Sequence, residues 1–277
     1  MSWRVGLFLA AMFAVFVGIG SLFGFVGAAA ALSAAIVISF CSFWSAAPKL
    51  LASTHAAPVV DTRILEMVDR IAIAAGIPSP GVYEIEDDQP NALVIGGGEG
   101  AVLVLTSGLR FHLTDNELRA VIAHELAHIR NRDILACALA AALICAITAL
   151  TLTLASVVSA LSRQRGSGAI ILAIFVPVIA LLLKLAMARS FEYRADRDAA
   201  ILCGSPRDLI SALYKLDRLS YRFKSDVALM HPSFASLFIV NPLPESWAGL
   251  FRVHPPTERR VARLQAMMEK PAEQEIA

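Results

Sequence analysis

His124, Glu125 and His128 stand in the stretch VIAHELAHIRNRD, Val121–Asp133, two histidines four residues apart with a carboxylate beside the first. On an α-helix a four-residue step turns by about 40° and rises about 6 Å, so both imidazoles point the same way and can grip one metal ion. Glu125 can then reach a water on that ion. This H-E-x-x-H pattern suits metal-assisted hydrolysis: the cation activates water and stabilises a developing oxyanion, and the glutamate moves protons. The competing reading is a surface helix whose histidines are merely solvated.

A catalytic site of this kind needs a third protein ligand. Glycine at position 131 and histidine at 134 would supply it from the same segment, but Asn131 and Ile134 stand there. The candidates elsewhere are chiefly Glu192, Asp196, Asp198 and His254. Glu192 and Asp196, in SFEYRAD, are again four apart and share one helix face. One carboxylate can bind the metal while the other accepts a hydrogen bond from a ligand histidine. Alone, the pair would be a solvated acidic face balanced by Arg194 and Arg197; beside the histidines, the metal reading prevails.

Several elements must position these groups. Thr114 and Glu117 form a capping box that starts a helix of about 17 residues, with Leu118, Val121, Ile122, Leu126 and Ile129 as its apolar stripe. Ahead of it, Ile64, Leu65, Val68, Ile71, Ala72 and Ala75 recur at helix spacing up to Gly76. Val82–Glu86 alternates like a strand. NALVIGGGEGAVLVLTSGL places two β-rich runs around a glycine-rich turn at Gly96–Gly100, which reads as a hairpin. GGGEG lacks the spacing and lysine of a phosphate loop. A helix runs to Gly204, another starts at Ser205-Pro206, and a last one begins at Thr257. Val227–Pro256 is rich in proline and aromatics, with no long periodicity.

The composition is 57% apolar and 17% charged, against roughly 45–50% and 25% in ordinary soluble domains. A net charge of +1 gives no electrostatic reason to expect nucleic acid. Cys41, Cys137, Cys145 and Cys203 have no metal-site or disulfide-framework spacing. Val5–Pro48 is free of charge for 44 residues, Ile134–Ser162 for 29 and Gly166–Leu183 for 18. About 20 residues span a bilayer core, so these blocks predict two hairpins and four spans. Arg4, Lys49, Arg130, Arg132 and Arg189 favour a cytoplasmic polar domain; Arg163 and Arg165 pull the other way. The H-E-x-x-H helix also carries Asp115, Glu117, Arg119, Arg130 and Arg132, which excludes an intramembrane protease. A zinc transporter would need ionisable groups within the spans, where only Lys184 comes close.

The expected fold is mainly α with a small β-sheet, a multi-pass membrane protein whose zincin-like domain is split by a membrane hairpin. Its parts are a first hairpin at 5–47, a first protease segment at 48–133, a second hairpin at 134–188 and a second protease segment at 189–277.

The series PNALVIGG, HELAHIRNRD, FEYRAD and HPPTERR, with a hairpin between the second and third, resembles the HtpX family of membrane zinc metalloproteases. CAAX prenyl proteases are more distant relatives. The resemblance covers nearly the whole chain. It implies one Zn2+ held by His124, His128 and Glu192, with Glu125 as catalytic acid/base and Asp196 free for the role behind a histidine. It also implies a bacterial inner-membrane location, a cytoplasmic active site and quality control of membrane proteins as polypeptide substrates. His254 is the candidate donor to the oxyanion, and Asn91 and Ala92, on a possible edge strand, are candidates to pair with an extended substrate. The alternatives are CAAX-type processing or an inactive metal-bound scaffold; a purely structural site would not need Glu125. Two departures from the family stand out: a short hydrophilic linker before Asp61, and Arg132 where many relatives carry glycine.

Overall fold

The computed structural model describes residues 10, 14, 24–140, 144, 188–230, 238–239 and 254–269. The chain divides into two compact units, Met1–Ser45 with Leu135–Met187 and Ala46–Ile134 with Ala188–Ala277.

Helix α1 (Gly24–Thr54) runs through Pro48, where the charge pattern predicted a boundary. Its last turn is closed by hydroxyls: Ser53 Oγ and Thr54 Oγ1 both donate to the Leu50 carbonyl, at 3.1 and 2.8 Å. Among the described residues, no helix is long and apolar enough to cross a membrane. Apart from residues 10, 14, 134–140, 144 and 188, the first expected span and both spans of the second hairpin lie outside the described residues.

The second unit holds the sheet. Strands β1 (Ala57–Pro58), β2 (Gly81–Ile85), β3 (Ala92–Ile95) and β4 (Val102–Thr106) are ordered β1-β2-β4-β3. The β3–β4 hairpin forms as expected, antiparallel with Ala92 opposite Leu105 and Ile95 opposite Val102. Its turn requires glycine at position 96: φ is 80°, and a Cβ there would lie 2.5 Å from the Gly100 carbonyl oxygen. The sequence did not reveal that β4 pairs in parallel with β2, nor that two residues of β1 extend the sheet. Period-2 alternation sends Val82, Ala92, Val94, Leu103 and Leu105 into one core. Ile85, Leu93, Ile95 and Val104 enter a second core on the other face, with Leu50 of α1 and Phe238.

Helix α2 (Thr62–Ala75) starts at Asp61, whose side chain accepts from the Arg63 N–H, and ends at Gly76 with φ 67°. Its buried face is Ile64, Met67, Val68, Ile71, Ala72 and Ala75, nearly the stripe read from the sequence. A short helix α3 (Ser107–His112) follows β4, capped by Thr106, where the sequence suggested only the end of a strand.

Helix α4 (Asp115–Asn131) has the expected 17 residues and the expected capping box at Thr114 and Glu117. Arg132 then takes a left-handed conformation, φ 58°, and the chain resumes as a helix, α5, at residues 133–140. Helix α6 covers residues 188–203 and stops at Gly204. Helix α7 (Arg207–Ser220) begins one residue later than the proline pattern suggested, but Ser205 Oγ still accepts from the Arg207 N–H at 3.2 Å. Helix α8 (Asp226–Met230) is short, and α9 (Thr257–Glu269) starts where expected. Helix α4 packs against α2, α7 and β3, so the histidine pair sits on a helix held from several sides.

Candidate metal centre

Position along α4 decides which side chains turn inward. Its start is anchored by Glu117, whose carboxylate accepts from the Thr114 N–H and Oγ1 (both 2.9 Å), Ser211 Oγ (2.6 Å) and Lys215 Nζ (2.7 Å). Burial works against this charge, but Lys215, Ser211 and Thr114 outweigh it and bring the pKa to about 2. About two turns further on, His124 is fully buried and Glu125 is 2% exposed. Burial raises the Glu125 pKa, with the neighbouring histidines acting in the opposite direction.

The Nε2 atoms of His124 and His128 lie 3.2 Å apart. Glu192 arrives from α6 with Oε2 3.6 Å from His124 Nε2 and Oε1 3.4 Å from His128 Nε2. These three side chains form a cluster in which one ligand atom from each lies within 4.8 Å of the others. The far side of each imidazole meets a carboxylate: His124 Nδ1 is 3.0 Å from Asp196 Oδ1, and His128 Nδ1 is 3.0 Å from Asp133 Oδ2. A ring nitrogen that donates to a carboxylate leaves the other with its lone pair free. Two ring nitrogens and a carboxylate thus converge, an arrangement that favours a cation between them, whether a metal ion or protons on the rings.

Of the four residues considered as third ligand, the fold separates the positions. Glu192 joins the histidines, while Asp196 lies behind His124. Asp198 turns to Asn131 Nδ2, at 2.8 Å. His254 reaches the same centre, its Nδ1 3.0 Å from Glu192 Oε2; its Nε2 is buried with no hydrogen-bond partner among the described residues. Asn91 and Ala92 lie at the start of β3, which is an edge strand, yet both are buried. The Ala92 carbonyl accepts from the Ile239 N–H at 3.0 Å. Since Thr106 N–H donates to the Asn91 carbonyl on the β4 side, alternation points the backbone of Ala92 and Val94 outward.

Two residues of the centre were not singled out in the sequence. Arg260, 2% exposed, grips Asp196 with Nε at 2.9 Å and Nη2 at 2.6 Å, and its Nη1 donates to the Ile239 carbonyl at 3.2 Å. Burial opposes the Asp196 charge; Arg260 and His124 overcome it and hold the carboxyl below its usual pKa. A clue existed: Arg260 shares the buried side of α9 with Val261 and Leu264, an odd place for a charge unless it has a partner. Asp133 is the other, and only its closeness to His128 in the chain hinted at it.

A histidine pair on one helix is joined by a carboxylate from a second, with a buried glutamate beside it, an arrangement that could hold a metal ion. The sequence model of Peptidase family M48 matches residues 58–268, and the chain belongs to that family. It is 40% identical to a Protease HtpX homolog of Acidiphilium cryptum (strain JF-5), with 96% of each chain covered. It is 37% identical to a Protease HtpX homolog of Syntrophobacter fumaroxidans (strain DSM 10017 / MPOB), covering 96% of this chain and 99% of that one. The resemblance to the HtpX family is thereby borne out. The crystal structure of S. mikatae Ste24p has a similar fold, with a TM-score of 0.59 at 18% identity over 92% of this chain and 62% of that one. The chain is therefore a metalloprotease, mainly helical with a small mixed sheet, and its substrates are polypeptides.

Proposed function

We propose that the chain is a membrane-anchored zinc endopeptidase in which His124, His128 and Glu192 hold one Zn2+ and Glu125 is the acid/base. The convergence of the two Nε2 atoms and the Glu192 carboxylate carries this reading. The two Nε2 atoms are 3.2 Å apart, the Glu192 oxygens approach them to 3.6 Å (Oε2 to His124) and 3.4 Å (Oε1 to His128), and one ligand atom from each residue lies within 4.8 Å of the others, a spacing that suits ligands of a single zinc ion. Charge supports it too: Arg194 faces Asp133, and Arg260 faces Asp196 with its Nη1 3.5 Å from Glu192 Oε2, so the carboxylates of Asp133, Asp196, Glu192 and Glu125 outnumber the two arginines and leave charge for a dication to balance. Bound zinc supplies Lewis acidity and brings the pKa of its water to about 7.

The chain's own residues do the rest. Glu125, its proton affinity raised by burial, takes a proton from the attacking water and passes it to the leaving amine. His254 points Nε2 towards the developing charge on the carbonyl oxygen and donates there. An extended peptide adds along the β3 edge, next to Asn91 and Ala92. Membrane anchoring rests on the uncharged run Val5–Pro48 and on Val26, Ile36, Val37, Phe40 and Trp44, which α1 exposes. With the arginine distribution, this supports a bacterial inner-membrane protein whose site faces the cytoplasm. Damaged or misfolded membrane proteins are its substrates.

The test measures zinc content and cleavage of an unfolded membrane protein by the purified chain and two variants. Glu125→Ala keeps zinc and loses roughly 10²–10⁴-fold or more in rate, and retained cleavage would sink its role as base. Glu192→Ala loses zinc; binding at full affinity would remove it from the ligand set.

A further inference from the structure

Residues 128 and 133 of an unbroken helix would point about 140° apart, on nearly opposite faces. Yet Asp133 Oδ2 lies 3.0 Å from His128 Nδ1, because Arg132 breaks the helix with φ 58° and turns α5 back towards the histidine. Arginine rarely adopts that conformation, since its Cβ crowds the following carbonyl. Asp133 is itself 3% exposed, and a buried carboxylate is costly unless paired. Its pair is Arg194, whose Nη2 meets Asp133 Oδ1. Arg194 stands on α6 two residues after Glu192, so one aspartate touches both the second histidine and the helix that delivers the third ligand. A neighbouring tie, Asn131 Nδ2 to Asp198 Oδ2 at 2.8 Å, joins the same two segments without touching a histidine.

We infer that Asp133, turned inward by the left-handed break at Arg132 and neutralised by Arg194, is a positioning residue that fixes the tautomer and aim of His128. With Nε2 facing the metal, Nδ1 carries the proton and donates it to Asp133 in a hydrogen bond. The ring is then locked, and the bond to a carboxylate makes Nε2 the better donor to a cation. The two segments tied here are those through which the second unit connects to residues 135–187. The aim of His128 is thereby set at the place where the chain leaves and rejoins this unit. This inference rests on the metal reading of His124, His128 and Glu192.

The experiment titrates zinc against a chelating competitor into the purified full-length chain and records the absorption bands of its Co2+ form. Asp133→Ala lowers zinc affinity by roughly 10–100-fold and shifts the Co2+ bands. Asp133→Asn, which can still accept the bond but brings no charge, loses less and keeps the order wild type, Asn, Ala. Asn131→Ala removes the neighbouring tie, lowers thermal stability and leaves zinc affinity and the Co2+ spectrum as in wild type. Wild-type zinc affinity in Asp133→Ala overturns the inference, as does an equal loss in Asn131→Ala, which would make Asp133 a mere staple. If Asp133→Ala does not fold, Asp133→Asn decides on the same two readouts. Failure of the metal reading is distinct: the wild type would take up no stoichiometric zinc, or His128→Ala would bind it as wild type does, and both proposals would fall.

Discussion

His124 and His128 sit one helical turn apart, and each has its second ring nitrogen 3.0 Å from an aspartate. Behind His124 the aspartate is Asp196, supplied by α6 and gripped in turn by Arg260 from α9, both far along the chain. Behind His128 it is Asp133, five residues on, brought back by a single left-handed residue. The same chemical task is met once by tertiary packing and once by a local break in the helix. The difference matters for what each arrangement tolerates. A long-range support fails when any of three helices shifts, whereas a local one fails only when the break is lost.

The largest expected effect comes from the long-range support. Arg260→Met keeps much of the side-chain volume but leaves the Asp196 carboxylate buried without its cation. Breaking such a pair costs about 3–5 kcal/mol, read as a lower denaturation midpoint. A change under about 1 kcal/mol, as for an exposed pair, would show that the Asp196–Arg260 pair does not hold α6 to α9.

The shared origin of both histidines, the start of α4, gives a pH test. Glu117 titrates at about 2 in the folded chain, against about 4.3 when unfolded. Because the folded value is depressed, its stabilisation is complete above about pH 5 and is lost as pH falls towards 2. The shift corresponds to about 2–3 kcal/mol once the partial exposure of Lys215 is discounted. Glu117→Gln should flatten the acid limb of the stability profile; an unchanged slope would remove Glu117 as its source.

The smallest effect probes the local support. Arg132→Gly relieves the left-handed strain and should stabilise the chain by up to about 1 kcal/mol, offset in part by the greater freedom of glycine when unfolded. If the break at Arg132 serves only to turn Asp133 inward, zinc affinity stays at the wild-type value. Lower stability in the glycine variant would show that the arginine side chain itself holds the turn.

The site's local features were legible in the sequence and its long-range ones were not. Thr114 and Glu117 fixed the start of α4 because a capping box uses only groups three residues apart. His124 and His128 followed from helical pitch. Arg132 was noticed as a departure from the glycine of many relatives, and its positive φ explains why glycine suits that place. Glu192 and Asp196 could be paired with the histidines but not told apart, since both lie on one face of α6. The peptide-pairing edge was also only half visible. Strand β3 does end the β1-β2-β4-β3 order, but Ile239 already bonds the Ala92 carbonyl.

By itself, the sequence determined the ligand helix, its length, its cap and the shared direction of its two histidines, because these depend on pitch and on hydrogen bonds within a few residues. It also determined the β3–β4 hairpin, through alternation and the glycine turn. Tertiary structure alone decided that β4 lies parallel to β2, that Glu192 and not Asp196 meets both Nε2 atoms, and that Arg260 reaches across from the last helix. Those outcomes depend on which faces bury together and on where a buried charge finds its counter-charge. In the case of Arg260 and its counter-charge Asp196, the two residues are separated by 64 positions.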